Sequence, residues 1–481
     1  MTLVHRTIAR TYRDSVALMA LAAELQRNPA VTTAGAVMAT PANAEILGRS
    51  GMWPEGLDPA PEDVFVVVDT DDSDAAETAL DTAIRELLAG RGAGAVEERR
   101  PQTLADAFEV DPESTLVAVS TPGPYAAYVS RQALMAGRHV FCFSDNVSVA
   151  DEVALKQLAR SRDLLFMGPD CGTALIDGVP LGFVNVTVPG PVGIVAAAGT
   201  GAQEVMCLLD AAGVGVAQVI GLGGRDLTAD VGGLMAEHAL RLLLDDPDVS
   251  VVTLVSKPPA AGVTARLEAL VADATKPVVF CLLGAPDSDG RPIVRGTLLG
   301  GARAAATAAG AHLDVDATTP PAPSGTGRVL GLYTGGSLAT EAKVVFSREG
   351  LPKDRYTVID LGDDAYTVGR PHPMIATGLR GEWVEKAGSD PGVGVLLLDV
   401  VLGHGSNADP AGALVEPLAR ARAAAAADGR SLTVVASVTG TARDPQVRSR
   451  QHATLLEAGV AVAPSNATAA SWAASCSGGI R

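Results

Sequence analysis

Residues 168–226 read GPDCGTALIDGVPLGFVNVTVPGPVGIVAAAGTGAQEVMCLLDAAGVGVAQVIGLGGRD. Glycine is dense here, and the apolar runs are cleanly punctuated. Residues 192–197 form a short apolar run, Gly199-Thr200-Gly201 a turn of small residues, and 202–212 a helical pattern. A strand, a small turn and a helix start in that order present unpaired backbone N–H groups and the positive end of a helix dipole, which attract phosphate or carboxylate. Any α/β protein needs small residues at its strand-to-helix turns, so one such turn is equally a packing feature.

Toward the N-terminus, a helix is expected from residue 11, with Asp14 and Ser15 at its cap. Strand-like runs follow at 33–38, 64–68, 116–120 and 140–143, alternating with helical stretches, which predicts a parallel sheet with helices on both faces. Ligands of doubly wound sheets sit at the carboxyl ends of strands. The turns there make Thr121, Ser144 and Asn146 candidate pocket walls, and Asp170 is a further candidate for the same substrate pocket. The charged interval 69–100 predicts a solvated helix ending near Gly90, and no G-x-G-x-x-G follows the first strand.

Toward the C-terminus, strands are expected at 192–197, 216–221, 251–256 and 277–283, then a proline-rich linker at 314–327 (DVDATTPPAPSGTG). The pattern restarts with a strand at 328–334, the turn Gly335-Gly336-Ser337, a helix at 338–347 and strands at 356–361 and 393–401. GTGAQE followed by VIGLGGRD recurs as GGSLATE followed by VIDLGDDA, a weak internal repeat of one module. Two such modules facing one another would aim two helix N-termini at one anion. Gly199, Thr200, Gly201, Gly335, Gly336 and Ser337 are therefore the candidate phosphate site, with Arg225 as a neutralising charge or the partner of Asp226. His372, between two prolines and near Arg370, is a candidate anion ligand or a packing residue, and His404 follows a buried-looking strand. Asp363 and Asp364 are candidates to hold Mg²⁺ or to orient an amide.

Composition limits the partners. A formal charge of −18 and a pI near 4.8 oppose binding to nucleic acid or an anionic membrane. The five cysteines are odd in number and widely spaced, which argues against a disulfide framework and a zinc site; no metal and a cytoplasmic location are expected. No apolar stretch reaches the roughly 18 residues of a membrane span.

GPDCG, VGIVAAAGTGAQE and VIGLGGRDL resemble the α subunit of succinyl-CoA synthetase and its nucleoside-diphosphate-forming acyl-CoA ligase relatives. LYTGGSLATEA, IDLGDDAY and VLLLDVVLGHGSNADP resemble the carboxy-terminal domain of the β subunit, and DSVALM, TPAN, SDNVS, MGPDCGTA, LGDDAYTVGRPHPMI and VTGTARDPQ extend a resemblance to the FdrA family over nearly the whole chain. The resemblance implies an α/β fold: a Rossmann-like CoA-binding-type domain (1–187), a flavodoxin-like ligase domain (188–313), the linker and a second flavodoxin-like domain (328–481). It implies that Gly199-Thr200 and Gly335-Gly336 begin two helices aimed at a phosphate, that Glu204 matches an acidic residue contacting the synthetase phosphohistidine, and that Cys171 belongs to a structural turn.

Three departures are visible. The region matching the histidine loop reads LLGAPDSDGRPIVRG without histidine, RTIARTYRDSV replaces the glycine-rich CoA loop, and no ATP-grasp domain is present. With Glu204, His372 and His404 as catalytic candidates, the implied function is carbamoyl transfer between a ureido acid of the oxalurate or oxamate type and phosphate. The ligand is phosphate or carbamoyl phosphate, with CoA and Mg²⁺ as secondary candidates, in an oligomer with partner subunits. The alternatives are an acyl-CoA ligase subunit and a non-catalytic assembly subunit with a regulatory anion site.

Overall fold

The computed structural model describes residues 2–54, 56–89, 101–315, 320–322, 327–367 and 370–478. The end of the expected charged helix and most of the proline-rich linker lie outside them. The chain forms two compact units: Met1–Pro112 with Asp364–Ala376, and Glu113–Asp363 with Thr377–Arg481.

The first unit runs β1 (Thr2–Ile8), α1 (Ser15–Leu25), β2 (Thr33–Met38), α2 (Pro41–Arg49), β3 (Val64–Thr70), α3 (Ser73–Ala89) and α4 (Leu104–Val110). Asp14 caps α1 as expected, accepting from the Ala17 N–H at 2.8 Å. The sheet order is β1-β3-β2, antiparallel throughout. Central β3 reads VFVVV because both its faces are covered: Val64, Val66 and Val68 pack with Leu18, Leu21 and Leu80, while Phe65 and Val67 pack with Leu47 and Met52.

The second unit opens with β4 (Leu116–Val119), α5 (Gly123–Met135), β5 (His139–Cys142), α6 (Val149–Ser161) and β6 (Phe166–Met167), whose strands form a small parallel sheet. A hairpin, β7 (Thr173–Ile176) and β8 (Val179–Gly182), then precedes β9 (Pro189–Ala196), α7 (Gly199–Ala211), β10 (Val216–Gly221), α8 (Leu234–Asp245), β11 (Val251–Ser256), α9 (Ala261–Val271), β12 (Val278–Leu282), β13 (Ile293–Arg295) and α10 (Leu298–Ala308). Their sheet order is β13-β12-β11-β9-β10-β7-β8.

The last lobe comprises β14 (Arg328–Tyr333), α11 (Gly336–Arg348), β15 (Tyr356–Asp360), α12 (Asp364–Thr367), α13 (Gly378–Ser389), β16 (Val393–Val401), α14 (Gly412–Ala427), β17 (Thr433–Thr439), α15 (Arg448–Glu457), β18 (Ala461–Ala463) and α16 (Asn466–Cys476), with strand order β15-β14-β16-β17-β18. Of these, α12 belongs to the first compact unit. In each flavodoxin-like lobe the five parallel strands follow the order 2-1-3-4-5, whose first strand and helix meet at the carboxyl edge where ligands bind.

The α/β class and the two repeated lobes are as expected. The single parallel sheet expected across 33–143 is instead two sheets, with a boundary near residue 112. Strand β1 escaped the sequence pattern because it is an edge strand: of its seven residues only Val4 is buried, so no alternation marks it. The hairpin at 173–182 joins the sheet of the first flavodoxin-like lobe rather than the strands before it.

Candidate functional site

The starts of α7 and α11 pack against each other. A Cβ built on Gly335 would stand 2.8 Å from Thr200 Oγ1, and one on Gly201 would stand 3.2 Å from Ser337 Cβ. Neither helix has a side-chain cap, and among the described residues the N–H groups of Gly199, Thr200 and Gly201 and of Gly336, Ser337 and Leu338 have no acceptor. All six residues assigned to the cradle from sequence thus come together.

The two halves differ electrostatically. At α11 the N–H groups of Thr334 and Gly335 are already taken by Asp399 on β16, at 2.9 Å each, and Asp399 is ion-paired with Arg380 at 2.9 Å. The Gly335 N–H is therefore not a phosphate donor. Asp360, at the end of β15, lies over Gly336, closer than any Cβ there would allow. Burial raises the Asp360 carboxyl above its ordinary range, as do Asp399 and Asp363; the Gly362 N–H and Lys257 oppose the shift. Lys257 follows β11 in the other lobe, is exposed, and brings Nζ within 3.5 Å of the Cβ position of Gly336. Lys257 and Asp360 were missed in the sequence; the only signal was a lone cation, in SKPP, just past an apolar strand.

Glu204 does not reach the cradle as a free carboxylate. It is buried in α7, accepts from Thr439 Oγ1 at 2.5 Å and caps α16 by accepting from the Asn466 N–H at 3.0 Å. Its repeat counterpart Glu341, in α11, caps α10 in the other lobe, accepting from Leu298 N–H at 2.6 Å and from Asn466 Nδ2 at 2.8 Å. Each lobe supplies the carboxylate that completes the other's last helix. Burial pushes both acids up, Glu341 to about 7 with a contribution from Glu204.

Arg225 is also committed elsewhere. Its Nη2 lies 2.9 Å from Glu152 and donates to the Val147 carbonyl at 2.8 Å. Nor does it pair with Asp226, which binds Lys156 Nζ at 2.8 Å and caps α8 through the Met235 and Ala236 N–H groups. Lys156 is fully buried and also meets Glu152 at 2.7 Å. The four residues form an ionic core joining α6 to α8.

Thr121, Ser144, Asn146 and Asp170 do converge at the carboxyl ends of β4, β5 and β6. Ser144 Oγ donates to the Thr121 carbonyl at 2.5 Å, and the Asp170 N–H donates to the Ser144 carbonyl at 2.9 Å. This cluster carries Asp170 and adjoins Asp145, while the nearby cation Arg225 is ion-paired, so the residues present do not fit the diphosphate of CoA.

His372 belongs to the first compact unit, and its Nδ1 accepts from the Met374 N–H at 3.2 Å. Burial lowers it to about 4, so near neutral pH it is an uncharged imidazole rather than a cationic anion ligand. His404 lines a separate cavity, described below. Asp363 and Asp364 fall in different units, and among the described residues no group of three acidic, histidine or cysteine side chains is placed to hold a metal. Cys171 is buried, with its thiol pushed up to about 12 by burial, as a structural residue would be. No helix among the described residues is long and apolar enough to cross a membrane.

Comparison with known proteins gives a consistent picture. Residues 332–476 match the CoA-ligase family, and residues 1–102 match the heavy metal-associated domain of AllF. The first cysteine of the chain is Cys142, so the residues of that N-terminal match provide no thiolate for a soft metal ion. The chain is 28% identical to succinate–CoA ligase (ADP-forming) subunit alpha 2 of Archaeoglobus fulgidus over 180 residues, 37% of this chain and 60% of that subunit. Among solved structures, the apo dinucleotide-forming acetyl-coenzyme A synthetase 1 of Ca. Korarchaeum cryptofilum is 15% identical, covering 76% of this chain and 83% of that one with a TM-score of 0.33. The chain is 37% identical over 488 residues to the uncharacterized protein YahF of Escherichia coli (strain K12), covering 95% of each. An identity of that level over nearly the full length of both chains places this protein in the FdrA-type family, with a CoA-ligase, succinyl-CoA synthetase-like architecture.

Proposed function

We propose that the paired helix starts of α7 and α11 hold the phosphoryl group of a carbamoyl phosphate, and that the protein is the transferase subunit that interconverts a ureido acid plus phosphate with oxamate plus carbamoyl phosphate. The observation that carries this reading is the meeting of two uncapped helix N-termini with Lys257 beside them. A phosphate oxygen would attack the carbamoyl carbon of the ureido acid. The C–N bond then breaks, and the leaving nitrogen takes up the proton that the attacking hydrogen phosphate gives up, becoming the oxamate amide. Free N–H groups of α7 and α11 and the Lys257 ammonium offset the phosphate charge. Asp360, facing the same helix start, accepts from the carbamoyl NH₂, which a plain acyl phosphate lacks. No histidine carrier is assigned, and partner subunits and an oligomeric state are part of the proposal.

The test is release of carbamoyl phosphate from oxalurate and phosphate by the chain assembled with its partner subunits, together with calorimetric binding of carbamoyl phosphate to the chain alone. Lys257→Met is expected to weaken that binding about 10- to 100-fold, the effect of removing one charge-stabilising group. Gly335→Ala is expected to weaken it about 10-fold by driving a methyl into Thr200, a packing conflict of roughly 1–3 kcal/mol. The double variant Thr200→Gly with Gly335→Ala should recover most of the Gly335→Ala loss. Absence of recovery would mean that the close approach does not shape the site.

A second reading, an acyl-CoA ligase subunit, is favoured by the CoA-ligase match over 332–476. CoA-dependent ATP turnover by the assembled complex, without carbamoyl phosphate release, would select it.

A further inference from the structure

The loop after β16 is built around His404. Gly403 has φ +111° and Gly405 φ +78°, a region in which side-chain-bearing residues are strained. A Cβ on the first would stand 2.5 Å from the Val184 carbonyl, and one on the second 2.9 Å from the Phe183 ring. The His404 N–H donates to the Val184 carbonyl at 2.8 Å. The two glycines thus seat the backbone against residues 183–184 and leave the imidazole exposed, without a hydrogen-bond partner among the described residues.

That imidazole lines a cavity of about 620 Å³ at the edge of the first flavodoxin-like sheet. Among the described residues the β7–β8 hairpin pairs in register with β10 at Val219 with Leu175. Below that pair the Gln218 carboxamide replaces the backbone ladder, accepting from the Asp177 N–H at 2.9 Å and donating to the Asp177 carboxylate at 2.6 Å. It holds the hairpin away from the first half of β10. The volume falls within the roughly 300–1,000 Å³ typical of small-molecule sites.

We infer that this cavity is a second ligand site, distinct from the helix cradle, and that it takes a small organic cation: an ammonium or guanidinium on a short carbon chain. Among the described residues no lysine or arginine lines it, whereas Asp177 and Asp248 do, and the Asp248 carboxylate has no partner there. A ring nitrogen of His404 can accept an N–H, and Leu175, Val186 and Pro180 offer apolar wall for the carbon chain. Its chemistry is the reverse of the cradle's, so the inference stands independently of the function proposed above.

The probe is agmatine, titrated into the full chain while the His404 ring Cε1–H resonance is followed by NMR; the resonance is identified by its loss in His404→Gln among the seven histidines. Succinate serves as an anion of similar length. Agmatine should shift the His404 resonance saturably with a Kd below about 1 mM, and Asp248→Asn should weaken it at least about ten-fold. Asp248 is exposed, so that variant should melt with the wild type, which separates loss of the site from loss of the fold. Gln218→Ala, which frees the hairpin, should abolish the saturable shift. A response to succinate equal to that of agmatine, an unchanged Kd in Asp248→Asn, or no saturable shift at all would overturn the inference.

Discussion

Replacing Glu341 by alanine is expected to cost about 3–5 kcal/mol of unfolding free energy, because it strips the acceptor from buried N–H groups and breaks the bridge to Asn466. Leu298 N–H, Leu299 N–H and Asn466 Nδ2 all donate to this one carboxyl. The pH dependence is the sharper part of the prediction. In the folded protein burial holds Glu341 near 7, against an ordinary value of 4.5, so between those values the native state binds more protons than the unfolded chain. Stability from this group is therefore complete below about pH 4.5 and is lost as pH rises through 7. The gap between wild type and Glu341→Ala in denaturant unfolding should be wider at pH 5 than at pH 8. A gap that widens with rising pH would show that the ionised form is the one the fold favours.

Lys156→Met is expected to destabilise the second unit by about 3–5 kcal/mol, since it leaves two carboxylates buried with a single, half-exposed guanidinium between them and solvent. Glu152 and Asp226 are both fully buried, and Lys156 is the buried cation that meets both. Neutralising all three, as Lys156→Met with Glu152→Gln and Asp226→Asn, should return a large part of the loss, because the cost lies in unpaired charge rather than in missing volume. Urea unfolding of the single and triple variants tests this. A single variant within about 1 kcal/mol of wild type, the range of exposed ion pairs, would sink it.

The parallel lobes were legible because their central strands are continuous apolar runs. Residues 393–401, a run of apolar and small residues interrupted only by Asp399, form a strand buried at all nine positions and covered on both faces. The cradle was legible because GTGAQE and GGSLATE repeat one module, although only Glu204, and not Glu341 at the end of the second copy, was singled out. The direction in which those two carboxylates point was not legible: a helix periodicity puts them on the inner face but says nothing of the 262-residue separation between Glu204 and the Asn466 it caps. Lys257 was hidden for the same reason, since its neighbour Gly336 lies in the other lobe. Arg225 was assigned to phosphate or to Asp226 because its actual partner Glu152 precedes it by 73 positions in a helix with no local link to it.

The reciprocal capping has a consequence for synthesis on the ribosome. The first flavodoxin-like lobe is complete in sequence at α10, yet the acceptor for the start of that helix arrives 43 residues later, on Glu341. Until that residue has emerged, the nascent lobe holds two unanswered N–H groups at a surface that will later be interior. The second lobe carries no matching delay, because Glu204 is already outside when α16 is made. The order of translation thus gives the two flavodoxin-like lobes unequal waiting times, the first being the one that waits for its cap.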